Sequence, residues 1–275
     1  MAKLPSLILA ITLAVCVVSS AAELGSVVSS FTLRPCWPDA ATSGMTYANG
    51  FLWTLQIDSG PPGATIVKRV HPTGSILASY KISPDELDIF EELTYDGNYF
   101  WAGRCTVSWQ DPKLLKIDAG TMSIVSSVPL NWFENEIVGL DWNGQDFWFS
   151  YFGAPNETYR MTTSGSVVAS YPIRYDFSFG IAYAPGLAGG ARVFECHRPG
   201  GSSTRINVYK AAGHKSEYSF LIQRERPCRI FCWDGEYLWL NESLPTGENA
   251  CRVVAWPPDI GVEPASLGKV KAVFR

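Results

Sequence analysis

The sequence predicts an all-β fold: a five-bladed β-propeller of four-stranded antiparallel blades, with an N-terminal strand helping to close the ring. Three observations carry that prediction. One phrase recurs, as YANGFLWTLQI from Tyr47, YDGNYFWAGRC from Tyr95, WNGQDFWFSYF from Trp142 and WDGEYLWLNES from Trp233. Its aromatic aligns Trp53, Trp101, Trp148, Phe194 and Trp239 at spacings of 48, 47, 46 and 45 residues, a period that belongs to serial four-stranded sheets. Between the phrases lie short segments rich in Val, Ile, Tyr and small polar residues, with no sustained helical period. A sandwich would not return its strands in sets of four under one phrase.

Residues 1–22 are read as a signal peptide. Lys3 supplies the positive start, LPSLILAITLAVCVV an apolar run short for a membrane span, and Ser20-Ala21-Ala22 the small residues of a cleavage site. Residues 23–275 are then one exported domain, secreted or periplasmic, with no membrane insertion after signal removal. Leu13-Ala14-Val15 before Cys16 is a poor lipoprotein box, because Val stands where a small residue is required.

Each unit reads as four strands. The first ends in an aromatic and enters a turn at Asn49-Gly50, Asp96-Gly97, Asn143-Gly144 or Asp234-Gly235, residues that accept the positive φ of a tight hairpin. The second carries the Trp column, which the fold would place between sheets as packing. The third is seen in TIVKRV, KLLKID, TYRMTT, TRINVYK and CRVVAW, and the fourth in GSILASYKI, TMSIVSSVPL, GSVVASYPI and HKSEYSFLI. The fourth unit departs from the others, with the longer turn APGLAGG and Phe194 in place of Trp. GSVVSSFTL from Gly25 matches a fourth strand with no first three before it, so it should complete the last blade; GKVKAVFR from Gly268 could serve instead or as well.

Of 275 residues, 47% are hydrophobic and 17% charged, which is enough apolar material for a substantial core. A net charge of -4 gives no electrostatic reason to bind nucleic acid or anionic lipid. Of seven cysteines, removal of Cys16 leaves Cys36, Cys105, Cys196, Cys228, Cys232 and Cys251, and an even set in an exported chain points to disulfides. Zinc would need paired ligands at close spacing; only Cys228 and Cys232 are near one another, and His71, His197 and His214 are scattered. No metal or other cofactor is therefore expected. Cys36 with Cys251 would tie the first unit to the fifth, and Cys196 with Cys228 the fourth to the fifth. Asn156-Glu157-Thr158 and Asn241-Glu242-Ser243 are glycosylation sequons.

ELTYDGNYFW with KIDAGTMSIVSS, and GLDWNGQDFW with SGSVVAS, resemble the blades of exported propeller repeat proteins that begin G-L-x-x-D-G-x-x-L-W and close K-I-D-x-x-G-x-V-x-x-S. The resemblance covers nearly all of residues 25–275. Five-bladed members look similar to plant-type glutamine cyclotransferases, which form pyroglutamate from N-terminal glutamine. No stretch here reproduces that catalytic pattern, so no catalytic residue is carried over. IFEELTYDG places Glu92 where other units have Gly44, Gly139 and Gly180.

Binding residues are sought in the loops joining fourth to first and second to third strands, which would emerge together on one face. There the sequence gathers Trp37, Asp85, Asp88, Glu92, Trp109, Trp132, Glu134, Arg174, Asp176 and Arg224, a mixture of aromatics and charges suited to a protein or glycan partner. Asp141, Glu92 and Cys232 could reach the channel from first strands, where burial would fit a carboxylate for acid/base work; Asp141 is better read as capping local backbone groups. No phosphate loop, H-E-x-x-H or G-x-S-x-G occurs. The leading expectation is a noncatalytic recognition propeller. The alternatives are an enzyme of cyclotransferase or lyase type, and a structural subunit of an extracellular assembly.

Overall fold

Hairpins organise the ring, and the side chain that opens the repeated turn explains why the phrase is kept. Asp96 Oδ1 accepts the amides of Asn98 and Tyr99 at 2.8 and 2.7 Å, and Gly97 takes φ 101°, which a side chain would resist. The other oxygen, Oδ2, accepts the indole N–H of Trp101 at 2.7 Å. Turn and Trp column are thus one hydrogen-bonded unit, repeated by Asp234 with Trp239 at 2.8 Å.

The computed structural model describes residues 23–33, 41–58, 64–82, 88–106, 111–132, 137–151, 157–173, 178–197, 203–224, 228–244 and 247–256. First in the chain and last in the ring is β1 (Val27–Leu33). Blade 1 is β2 (Ala41–Ala48), β3 (Phe51–Asp58), β4 (Ala64–Val70) and β5 (Ile76–Lys81). Blade 2 is β6 (Asp88–Tyr95), β7 (Tyr99–Thr106), β8 (Lys113–Asp118) and β9 (Ile124–Pro129). Blade 3 is β10 (Ile137–Trp142), β11 (Phe147–Tyr151), β12 (Glu157–Met161) and β13 (Val167–Pro172). Blade 4 is β14 (Ser178–Ala184), β15 (Arg192–His197), β16 (Ser203–Lys210) and β17 (Lys215–Gln223). Blade 5 joins β18 (Cys228–Trp233), β19 (Leu238–Leu244) and β20 (Gly247–Val253) to β1.

The chain is therefore a five-bladed β-propeller whose two ends share a blade. β1 runs antiparallel to β20, from Val27 opposite Val253 to Leu33 opposite Glu248. The GKVKAVFR segment lies outside the described residues. First strands β2, β6, β10, β14 and β18 each touch both neighbours around the axis, with β18 returning to β2.

The Trp column fills the gaps between blades, as the sequence indicates. Trp53 packs on Phe100 of blade 2 at 4.6 Å, Trp101 on Phe147 of blade 3 at 5.2 Å, and Phe194 on Trp233 of blade 5 at 5.6 Å. Every member of the column is buried. Truncating such a ring typically costs about 3–5 kcal/mol, so the column is a large share of what holds the blades together.

All five first strands also slip register at or before the middle: at Thr42/Gly44, Glu91/Leu93, Ile137/Gly139, Ser178/Ile181 and Cys228/Phe231. A bulge there sharpens the twist of the strand nearest the axis. Neighbouring backbones come close at this point. A Cβ on Gly44 would lie 2.6 Å from the Glu92 carbonyl carbon, and one on Gly139 would lie 3.0 Å from the Ile181 amide. Glu92 occupies the bulge of blade 2 at φ 54° and is buried.

Candidate functional site

Where the first strands end, a cavity of about 470 Å³ opens at one mouth of the central channel. Its wall draws an aromatic from every blade: Tyr47, Tyr95, Trp142, Tyr183 and Trp233. These residues follow one another around the ring because each comes one position after the first-strand residue paired with the Trp column. Those paired residues are Thr46, Thr94, Asp141, Ala182 and Cys232. The cavity lies on the face of the 1→2 turns, opposite the loop face on which the sequence places its binding residues.

Asp141 is the charged member of the inner row. Its Oδ1 accepts the Thr94 hydroxyl from blade 2 and its neighbour's Trp142 amide, both at 2.8 Å, and Oδ2 accepts the Tyr183 amide of blade 4 at 2.6 Å. One carboxylate therefore staples three consecutive first strands. Burial outweighs these donors and pushes its carboxyl up to about 6. Backbone capping, the reading favoured from sequence, is what Asp141 does here, extended across blade boundaries.

Burial, reinforced by the charges of Asp141, Asp234 and Glu92, pushes the Cys232 thiol well up. It stays a protonated thiol at neutral pH and is a poor nucleophile. Asp141 and Cys232 both line the channel mouth, and Glu92 is close enough for its charge to act on the Cys232 thiol.

Other sequence-selected residues are distributed differently. Trp132 stands at the outer rim, donating its indole N–H to the Gly165 carbonyl at 3.0 Å and packing on Phe149 and Tyr159, with 43% of its surface exposed. Arg224 is ion-paired to buried Glu242 at 2.5 Å, tying blade 4 to blade 5. Asp88 sits in β6 opposite Thr106. Trp37, Asp85, Trp109, Glu134, Arg174 and Asp176 lie outside the described residues.

The expected Cys196–Cys228 disulfide is not found, and no two of the described cysteines are bonded to each other; Cys196, Cys228, Cys232 and Cys251 are buried thiols. Cys196, Cys228 and Cys251 do converge in the core between blades 4 and 5, where the Cys196 thiol donates to the Cys228 carbonyl at 3.3 Å. Burial pushes the Cys228 thiol up to about 12 and that of Cys251 up to about 11. Cys251 faces this cluster, and Cys36, its expected partner, lies outside the described residues. Asn241 of the second sequon is buried, which leaves no room for a glycan on it; Asn156 is outside the described residues.

One polar cluster was not anticipated. Glu195 and His197 alternate along β15 and so share a face, meeting His214 and Thr158 between blades 3 and 4. His214 Nε2 is 2.8 Å and His197 Nε2 3.4 Å from the carboxylate, and the Thr158 hydroxyl donates at 2.5 Å. Burial would raise the Glu195 pKa; the two histidines more than offset it and hold it at about 2. The spacing E-C-H at Glu195 to His197 was the available signal, hidden because His214 is distant in sequence. Cys196, between them, points to the opposite blade, so no thiol–imidazole pair forms. Among the described residues no group of three His, Cys, Asp or Glu side chains is arranged to hold a metal, and no helix is long and apolar enough to cross a membrane.

Fold and cavity together define a five-bladed propeller with an aromatic-ringed channel mouth. The sequence matches no protein-family model and no curated protein. Among solved structures, a chain of the nidogen/laminin complex is similar in fold, with a TM-score of 0.48 and 10% identity over 74% of this chain and 72% of that one.

Proposed function

We propose that this protein is an exported, noncatalytic recognition propeller that binds the end of a glycan in the channel mouth. The observation that supports it is the ring of Tyr47, Tyr95, Trp142, Tyr183 and Trp233 around a cavity of about 470 Å³. Sugars offer apolar C–H faces that pack on aromatic rings and hydroxyls that need polar partners, here Asn143 and Thr46 in the same wall. Export rests on the composition of residues 1–22. A glycan panel followed by titration tests the reading: saturable binding quenching Trp fluorescence, lost in Trp142→Ala at unchanged melting temperature, is expected. Binding that ignores Trp142→Ala, or a response only to protein partners, would remove the glycan assignment.

A second reading, an enzyme of cyclotransferase or lyase type, draws on Asp141 and Cys232 in the cavity wall, on the nearby charge of Glu92 and on an Asp141 carboxyl at about 6. Turnover of glutaminyl peptides that disappears in Glu92→Gln would install this reading in place of the first. The assembly reading draws on paired aliphatics exposed at the start of outer strands, Val27-Val28, Ile76-Leu77, Ile124-Val125 and Val167-Val168. Sedimentation showing a single monomeric species would count against it.

A further inference from the structure

Blades 3 and 5 answer the same local problem in two different ways. In blade 5, Asp234 Oδ2 accepts both the Trp239 indole N–H and the Arg252 Nε–H, each at 2.8 Å. Blade 3 places the same donors in the same register: Trp148 is paired with Arg160 as Trp239 is with Arg252, and each guanidinium lies over its indole, at 5.9 and 5.7 Å. The acceptor has been replaced. Asn143 stands where blade 5 has Asp234, and its Oδ1 is committed to the Gln145 and Asp146 amides at 2.9 and 2.8 Å, as Asp234 Oδ1 is to its own turn. The remaining end of the Asn143 side chain is therefore NH₂, a donor.

As a result, Trp148 Nε1 and Arg160 Nε are both buried without a hydrogen-bond partner, in a Trp residue that is only 1% exposed. A buried donor left unpaired costs about 1–3 kcal/mol, and an acceptor that reaches it recovers that loss. A cavity of about 370 Å³ opens beside these groups, lined by Asn143, Trp148, Arg160, Tyr183 and Lys210 and by the glycines of the long blade 4 turn. Arg160 is paired with Asp146 through Nη2, and Lys210 lies 3.6 Å from Glu217. Glu217 is shared with Arg192, so the cleft lacks an acceptor and also carries one cation in excess.

We propose that the cleft between blades 3 and 4 is a carboxylate-binding site, in which a ligand oxygen takes the position that Asp234 Oδ2 fills within blade 5. Trp148 Nε1 and Arg160 Nε are the primary donors, with the Asn143 NH₂ and Lys210 Nζ available to the second oxygen. The site is distinct from the channel mouth, although Asn143 and Tyr183 border both, and it stands or falls independently of glycan binding there.

The test is titration of the full chain with sodium acetate, with acetamide as the neutral isostere, read by the indole N–H resonances of the tryptophans. Acetate should shift Trp148 in the millimolar range and leave Trp101 and Trp239, whose acceptors are internal, in place; acetamide should act far more weakly. Asn143→Asp supplies the missing carboxylate from within, so it should move the Trp148 resonance to the bound position and abolish the response. Arg160→Met should weaken acetate binding at least tenfold. A Trp148 resonance unmoved by acetate, an equal response to acetamide, or an Asn143→Asp variant that titrates like the wild type would each overturn the proposal.

Discussion

The Thr94 hydroxyl donates to Asp141 Oδ1 at 2.8 Å, joining the first strands of blades 2 and 3 beside the channel. Through Oδ2 the same carboxylate holds the Tyr183 amide of blade 4. Asp141→Ala leaves three donors without their acceptor, and a loss of about 3 kcal/mol is expected in urea denaturation. The loss should depend on pH. Because burial raises Asp141 from 3.8 to about 6 in the folded state, its protonated form is favoured by folding. That stabilisation is fully present below the unfolded value and is lost as pH rises through about 6. The penalty of Asp141→Ala should therefore be larger near pH 4 than at neutrality; an equal penalty at both would show that the carboxyl is not perturbed.

Glu195 titrates in the opposite sense. Its folded pKa of about 2 lies below the ordinary glutamate value of 4.5, so its contribution is present above 4.5 and is lost as pH falls through about 2. Glu195→Gln gives the Thr158 hydroxyl and His214 a weaker partner in a buried site and should cost about 1–3 kcal/mol at neutral pH. Thermal melts across the acid range give the check: the wild type loses stability over this window, and the variant should show a flatter acid limb.

Periodicity made the scaffold legible because what repeats is local chemistry: a turn residue, an aromatic five positions later and a β-rich remainder. The first-strand aromatics were quoted as part of that phrase, yet their place around one cavity depends on ring closure, which no single unit encodes. Glu92 was singled out as the outlier among glycines, and it does sit at a backbone special point. Arg224 reads in sequence as a loop charge open to a partner, whereas it is paired to buried Glu242, distant in sequence. Likewise Asn143 reads as just another turn former until its neighbours Trp148 and Arg160 are compared with Trp239 and Arg252.

Two glycines separate close approach from backbone conformation. Gly44 has no side chain because Glu92 and Leu93 backbone atoms lie 2.6 to 2.8 Å from where its Cβ would be, whereas Gly50 has open space but φ 81°. Gly44→Ala must push two blades apart and should cost about 2–3 kcal/mol. Gly50→Ala should cost about 1 kcal/mol, the strain of a left-handed turn residue. Chemical denaturation of both variants decides the matter; equal costs would mean that the blade contact can relax.

Ring closure rests on β1, and Phe31 is its anchor. Its ring lies 5.8 Å from Trp239 within blade 5, and a Cβ on Gly74, in the turn leading to the outer strand of blade 1, would meet it at 2.8 Å. Phe31 thus touches both sides of the seam. Phe31→Ala should lower stability by about 2 kcal/mol, less than a fully buried Phe because the ring is half-buried. Hydrogen exchange should show the loss locally, with β1 and β20 opening ahead of β15 and β16. Removal of residues 27–33 would expose the β20 edge and leave Leu33's place in the core empty, so a cooperative melt should disappear. A deletion variant that melts like the parent would show that another segment closes the ring.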